Sequence, residues 1–259
     1  MSVQSISLVQ LLGIDRKTRV IAVVGAGGKT SLMYALAREL SESGREVVTT
    51  TTAKIFPPDP DQSPKLITLD HDPGLRGLAE GLRRFSHVTV ADSLDPASGK
   101  LRGIQEDSLD ICAAVADHVI VEADGARGLP VKAPEAWEPV IPRSSDLVVL
   151  VAGLDCIGKP ATEDWVFRLD RFLEITGMAK GETIRPEHVA VALCHPEGGL
   201  KGVPPTAEVA VFLNKADLLD DEDVIEEVLA AIVEKGRDRI RVVAAGRLIP
   251  GGDQCGAPG

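Results

Sequence analysis

Aromatic residues are scarce in this 259-residue chain: five Phe, two Trp and one Tyr, 3% in all. A core with so few rings must be filled by Val, Leu, Ile and Ala, which suits buried parallel strands covered by helices. Cysteine is sparse as well. Cys112, Cys156, Cys194 and Cys255 stand apart without a C-x-x-C pair, which argues against a structural zinc or a disulfide framework and for reduced thiols. Cys194 beside His195 is half a ligand set with no second half at ligand spacing. No stretch approaches the roughly 18 apolar residues that a membrane span needs. The opening Met1-Ser2-Val3-Gln4-Ser5-Ile6 lacks a basic or long apolar region, so a cytoplasmic location is expected. Excess positive charge is missing too: 28 basic against 39 acidic residues leave a formal charge of −11. Without a broad basic surface, nucleic acid and membrane surfaces are not expected as partners. A phosphate site stays open, because it needs only backbone amides and one lysine.

What is present is alternation. Arg19-Val20-Ile21-Ala22-Val23-Val24 is an apolar run stopped by Gly25 and predicts a buried strand. From Ser31, the residues Leu32, Ala35, Leu36 and Leu40 share one helical face, and Gly44 ends the helix. Val47-Val48-Thr49-Thr50-Thr51 is β-branched and predicts a second strand. Further strands are predicted over 65–69, 87–91, 118–122, 146–151, 209–213 and 240–243. Helices are predicted over 73–84, 107–115, 163–176, 186–194 and 221–234. The expected class is α/β: a three-layer, P-loop NTPase-like, mostly parallel sheet with a small helical insertion over about 153–205. Residues 1–250 read as a single domain, with 57–64 a proline-rich loop and 251–259 a disordered tail.

Gly25-Ala26-Gly27-Gly28-Lys29-Thr30-Ser31 falls between the first strand and the first helix. A triphosphate needs backbone N–H groups, a helix N-terminus, a lysine and a hydroxyl for Mg²⁺, and all occur here in order. Val23 replaces the first glycine of G-x-x-x-x-G-K-[ST], leaving the shorter G-x-x-G-K-T form. As a dinucleotide fingerprint the segment fails, because Thr30 stands where a third glycine is needed. Asn214-Lys215-Ala216-Asp217 follows the strand over 209–213 directly. This is N-K-x-D, in which a carboxylate accepts from guanine N1–H and N2–H, a donor pair that adenine lacks. Guanine is therefore favoured over adenine; the alternative is a polar turn capped by Asp217. The strand Val119-Ile120-Val121 ends in Glu122-Ala123-Asp124-Gly125. Glu122 or Asp124 suits Mg²⁺ or its water shell, and Gly125 can offer its N–H to a γ-phosphate. Thr51 or Thr52, after the second strand, can complete the metal's ligands, and β-branched strand propensity is the competing explanation. The proline-punctuated loop from Gly128 brings Lys132, with Arg127 and Glu138, within reach of the same place.

The chain resembles the YqeC family, accessory proteins of selenium-dependent molybdenum hydroxylases. The resemblance rests on V-G-A-G-G-K-T-S (24–31), T-T-T-T-A-K (49–54), V-E-A-D-G-A-R-G-L-P-V-K-A-P (121–134) and E-P-V-I-P (138–142). G-L-D-C-I-G-K-P (153–160), F-R (167–168), the turn over 199–204 and N-K-A-D (214–217) continue it. It implies a role in making or inserting a selenium- or molybdenum-containing cofactor, with a client enzyme or cofactor-assembly protein as partner; a homodimer is also an expected arrangement. Cys156 and Cys194 are the candidates for soft-ligand contact.

Three functions compete. A nucleotide-dependent maturation factor, using Mg²⁺ and GTP ahead of ATP, would order the 49–52 and 125–134 loops on binding or hydrolysis. In it Lys29 neutralises phosphate, Thr30 binds Mg²⁺, and Glu122 or Asp124 holds the metal or a water. An ATP-dependent ligase of the Mur type or a small-molecule kinase would share the short G-x-x-G-K-T-S loop. A non-hydrolysing nucleotide sensor is the third, since no residue stands out as a general base.

Overall fold

The computed structural model describes residues 7–248. In chain order its first half holds α1 (Leu8–Leu11), β1 (Val20–Gly25), α2 (Lys29–Glu42), β2 (Val47–Thr51), β3 (Lys54–Ile55) and β4 (Leu66–Thr68). Then come α3 (Leu78–Phe85), β5 (His87–Ala91), β6 (Leu94–Asp95), β7 (Lys100–Arg102), α4 (Glu106–Val115) and β8 (His118–Glu122). The second half holds β9 (Val131–Lys132), β10 (Leu147–Gly153), β11 (Val166–Phe167), α5 (Leu169–Thr176) and α6 (Pro186–Cys194). It closes with β12 (Glu208–Asn214), α7 (Glu222–Gly236) and β13 (Val242–Ala245).

Eight strands form one sheet in the order β13-β12-β10-β1-β8-β2-β5-β4, and every pairing in it is parallel. The central strands are buried on both faces, which is why each reads as an apolar run rather than an alternation. Ile21, Val23, Val149, Val151 and Phe212 point to one face, covered by α1 and α2. Ala22, Val24, Val148, Leu150 and Val211 point to the other, under α5, α6 and α7. On that second face α3 and α4 cover Val48, Val88, Val90, Val119 and Val121. The result is the three-layer α/β fold.

From β1 the chain crosses through α2 on one face, whereas β10 leaves for β12 through α5 and α6 on the other. The direction of winding thus reverses between the neighbours β1 and β10, and ligands bind beyond the strand ends at such a reversal. The helices of segment 153–205 are α5 and α6, and they form this crossover, with α6 lying on β10 and against α7.

Some boundaries differ from the pattern-based reading. The helix expected from 73 starts at Leu78, because the Asp72 carboxylate accepts the Arg76 and Gly77 amides (3.0 and 2.8 Å) and holds a turn. The helix expected from 163 starts at Leu169: residues 166–167 pair with β9, and Arg168 sits at φ 62°. The last strand lies two residues later than expected, at Val242–Ala245. Segments too short for periodicity went unread: α1, and the three-stranded antiparallel sheet β3-β7-β6. No helix among the described residues is long and apolar enough to cross a membrane. The tail expected over 251–259 lies outside the described residues.

Candidate functional site

The loop from Gly25 to Gly28 joins β1 to α2 at the reversal of winding. Gly25, Gly27 and Gly28 have φ of 101°, 78° and 130°, values that a side chain resists. A Cβ on Gly27 would also lie 2.1 Å from the Gly153 nitrogen, so the two backbones touch. Three amides of the loop are committed internally. Gly25 N–H donates to both Asp124 oxygens (3.1 and 3.2 Å), Ala26 N–H to the Val151 carbonyl, and Gly27 N–H to the Leu129 carbonyl (2.9 Å each). The next four amides, Gly28, Lys29, Thr30 and Ser31, have no acceptor among the described residues, and α2 has no side-chain cap. They form an uncapped helix start carrying positive partial charge.

Lys29 is 4% exposed and its ammonium lies among oxygens. It donates to the Gly25 carbonyl (2.8 Å) and stands 3.3 Å from Asp124 Oδ1 and 3.8 Å from Glu122 Oε1. Thr30 donates its hydroxyl to Glu122 Oε2 at 2.7 Å. Burial raises the Glu122 pKa, opposed by the Lys29 charge and the Thr30 hydrogen bond. The ion pairs extend outward. Lys132 Nζ meets Asp124 Oδ2 (3.0 Å), Glu138 Oε2 (3.1 Å) and the Gly125 carbonyl (2.8 Å), and Arg168 Nε meets Glu138 Oε1 (3.1 Å). Burial alone would push Glu138 up, but Lys132 and Arg168 outweigh it and hold its pKa below the ordinary value. Paired and hydrogen-bonded in this way, charges can be kept away from water.

The second half of the chain closes the loop from the other side. Asn214 Nδ2 donates to the Gly27 carbonyl (2.8 Å), while its Oδ1 accepts the Leu248 amide (3.1 Å). Lys215, at φ 62°, pairs with Asp155 Oδ2 at 2.6 Å. The other Asp155 oxygen is buried with no hydrogen-bond partner. Ala216 N–H donates to Gly246 beyond β13, so this strand end pins the N-K-A-D turn. Asp217 lies in the 3-10 turn Ala216–Leu218 and is exposed.

The expected residues thus fall into two groups. Gly25 to Ser31, Glu122, Asp124, Gly125 and Lys132 converge, and Asn214 joins them directly. Lys215 is tied to the same region through Asp155, beside Gly153, and Asp217 touches none of these groups. Thr51 differs from its expected part. Its buried hydroxyl donates to the Glu122 carbonyl (2.7 Å) and accepts the Ala53 amide (2.9 Å), so it fixes the strand that carries Glu122. Thr52 is bonded to the Val140 carbonyl (2.7 Å). Burial pushes the thiols of Cys156 and Cys194 up to about 12 and about 11, which keeps them protonated and poor soft ligands. No cluster of three or more His, Cys, Asp or Glu suited to a metal occurs among the described residues. Sequence reading missed Asp155, Phe167 and Arg168 as members of this neighbourhood; the only trace was their place in G-L-D-C and F-R.

The profile of a family described as YqeC protein matches residues 21–170. The uncharacterized protein YqeC of Escherichia coli (strain K12) is 34% identical over 228 residues, 86% of each chain. Among solved structures, chloroplast FtsY from Physcomitrella patens aligns with 96% of this chain at 15% identity and a TM-score of 0.47, and this chain spans 64% of it. A GTPase in apo form from Pyrococcus abyssi aligns with 89% of this chain and 91% of its own, at 14% identity and a TM-score of 0.40.

Proposed function

The chain belongs to the YqeC family, and from that premise we propose that it is a Mg²⁺-dependent nucleotide-binding protein, with GTP preferred to ATP, serving a maturation step. The observation that carries this reading is the run of four unpartnered amides, Gly28 to Ser31, opening α2 beside the buried Lys29 ammonium. Such an arrangement attracts a phosphate chain. Lys29 already has oxygen neighbours, and phosphate oxygens would take their place around it.

The residues fit Mg²⁺. Thr30 and Glu122 present a hydroxyl and a carboxylate that already touch at 2.7 Å, and this cation takes one or two protein oxygens plus phosphate rather than a full protein cage. Bound there, it would supply charge for phosphoryl chemistry. Asp124 holds the loop amide of Gly25 and lies 3.3 Å from Lys29, and Gly125, the residue after Asp124, carries the amide proposed for a γ-phosphate.

Guanine preference is supported by the Asn214 tie to Gly27, which fixes the start of N-K-A-D against the phosphate loop, and by Asp217, an exposed carboxylate able to accept from a base edge. The maturation role, with a client enzyme or cofactor-assembly protein of a selenium-dependent molybdenum hydroxylase and a cytoplasmic setting, rests on the family resemblance.

Calorimetric titration of GTP and ATP, each with Mg²⁺, tests the reading. Wild type should bind GTP more tightly, Lys29→Ala should bind neither, and Asp217→Asn should lose the preference alone. Unchanged affinity in Lys29→Ala would sink the nucleotide assignment; ATP preference indifferent to Asp217 would sink the guanine assignment.

A further inference from the structure

Phe167, only 9% exposed, has three cations around its ring. Arg168 lies 4.7 Å from the ring centre, Lys132 5.3 Å and Arg127 5.5 Å. The three differ in how their charge is used. Lys132 is spent on Asp124, Glu138 and a carbonyl. Arg168 gives only its Nε to Glu138, and its terminal amino groups have no acceptor among the described residues. Arg127 is exposed and has no carboxylate or acceptor among those residues. Both arginines sit at positive φ, 52° and 62°, a conformation that non-glycine residues keep only where their surroundings hold it.

The local charge is unusual for a chain of net −11. Lys29, Lys132, Arg127 and Arg168 stand against Glu122, Asp124 and Glu138, four positive charges against three negative. Arg168 is also the N-cap of α5 and supplies no side-chain cap, so that helix start adds uncapped amides to the same segment of chain. Asp170 in the first turn is exposed. Two guanidinium groups with free N–H forks match the oxygens of phosphate or carboxylate.

The geometry points to a second anion site, formed by Arg127, Arg168 and the start of α5 around Phe167, that binds the phosphate or carboxylate group of a second substrate. Placing it beside a nucleotide rests on the proposed function. Lys132 links the two places, contacting Asp124, which holds the phosphate loop, and lying over the same Phe167 ring. A molecule so held would meet the nucleotide's phosphate chain from the Lys132 side, as the acceptor in a phosphoryl transfer or the cargo of a nucleotide-driven handover would have to.

Trp137 supplies a local reporter, since Arg168 lies 5.5 Å from its ring. In a Trp165→Phe background, with Mg²⁺–GTP saturation checked calorimetrically for each protein, inorganic phosphate and then acetate are titrated at constant ionic strength. The expected result is a saturable change in Trp137 emission, with the apparent Kd for phosphate raised at least tenfold in Arg127→Gln and the response lost in Arg168→Gln. Arg127 makes no ion pair or hydrogen bond among the described residues, only its contact with the Phe167 ring, so its variant, checked for unchanged folding by circular dichroism, is decisive. A response absent in the parent, or equal in Arg127→Gln, would overturn the site. So would a response to phosphate that disappears once nucleotide fills the loop, because the ion would then be sitting on Lys29. If calorimetry finds no nucleotide binding at all, an Arg127-dependent phosphate response still sustains this site while the nucleotide reading fails. Acetate matching phosphate identifies a carboxylate-bearing ligand; phosphate alone identifies a phosphorylated one.

Discussion

Replacing Lys132 by Met keeps the length and apolar bulk of the side chain and removes its charge. The Lys132 side chain is 2% exposed, and its partners Asp124 and Glu138 are 2% and 11% exposed. Losing the cation leaves Asp124 with only Lys29 and the Gly25 amide, and Glu138 with only Arg168 and the Glu135 amide, in a place with little water. Breaking a buried ion pair from one side costs about 3–5 kcal/mol. With a urea m-value of about 3 kcal/mol/M for a chain of this size, the unfolding midpoint should fall by about 1–1.7 M. The cost should also be pH-dependent. In the wild type Glu138 is held below its ordinary pKa, so its stabilising share is complete above the unfolded value of about 4.3 and fades as pH drops through the folded one. In Lys132→Met the largest opposition to burial is gone, leaving Arg168 and the Glu135 amide, and the pKa of that carboxyl should rise from its wild-type position. The gap between the two proteins is then largest near neutrality and narrows below about pH 5. Adding Glu138→Gln to the variant should restore about 1–2 kcal/mol, since it removes one of the two carboxylates left short of positive charge. Urea unfolding followed by circular dichroism at pH 7.5 and pH 4.5 measures all three. A midpoint shift under about 0.3 M that ignores both pH and Glu138→Gln would refute the view that these charges are mutually dependent.

Asn214→Ala removes the tie to Gly27 and the bond from Leu248, and should lower stability by about 1–3 kcal/mol and weaken nucleotide binding in the same preparation. Gly27→Ala meets both a φ of 78° and a backbone 2.1 Å away, whereas Gly44→Ala meets a φ of 82° and open space. Gly44→Ala should cost about 1–3 kcal/mol from conformation alone, and denaturant curves should place Gly27→Ala clearly below it. Burial pushes the His87 imidazole down to about 4, so the unfolded chain takes up the proton first as pH falls. Wild-type stability should drop between about pH 6.5 and pH 4, by about 2 kcal/mol at pH 5 from this group, and His87→Gln should flatten that slope.

The parallel sheet was legible because both faces of its central strands are covered, leaving the apolar runs over 20–24 and 147–151 unmistakable. The loop over Gly25–Gly28 was legible for a different reason: its geometry demands glycines locally, and Gly25, Gly27 and Gly28 do adopt positive φ. Contacts across the chain were not. Asn214 reaches Gly27 over 187 positions, and N-K-A-D suggested a base reader without saying that its first residue grips the loop. Thr51 misled because a hydroxyl at a strand end looks available until a carbonyl from the neighbouring strand is found on it. The gathering around Phe167 left no periodic trace, since Arg127, Lys132 and Arg168 come from two loops and a strand that meet only in three dimensions.

Because all eight strands of the main sheet run the same way, their C-terminal ends share one rim, and everything proposed to bind lies there. The opposite rim consists of returns stitched by short bonds, such as Asp146 to the Arg19 and Val20 amides and Asp117 to the Glu46 amide. That rim is the place for a handle. A chain anchored to a sensor surface or labelled with a dye near Gly44, where an added Cβ would meet nothing within 4 Å, would present the C-terminal ends of its strands to solution.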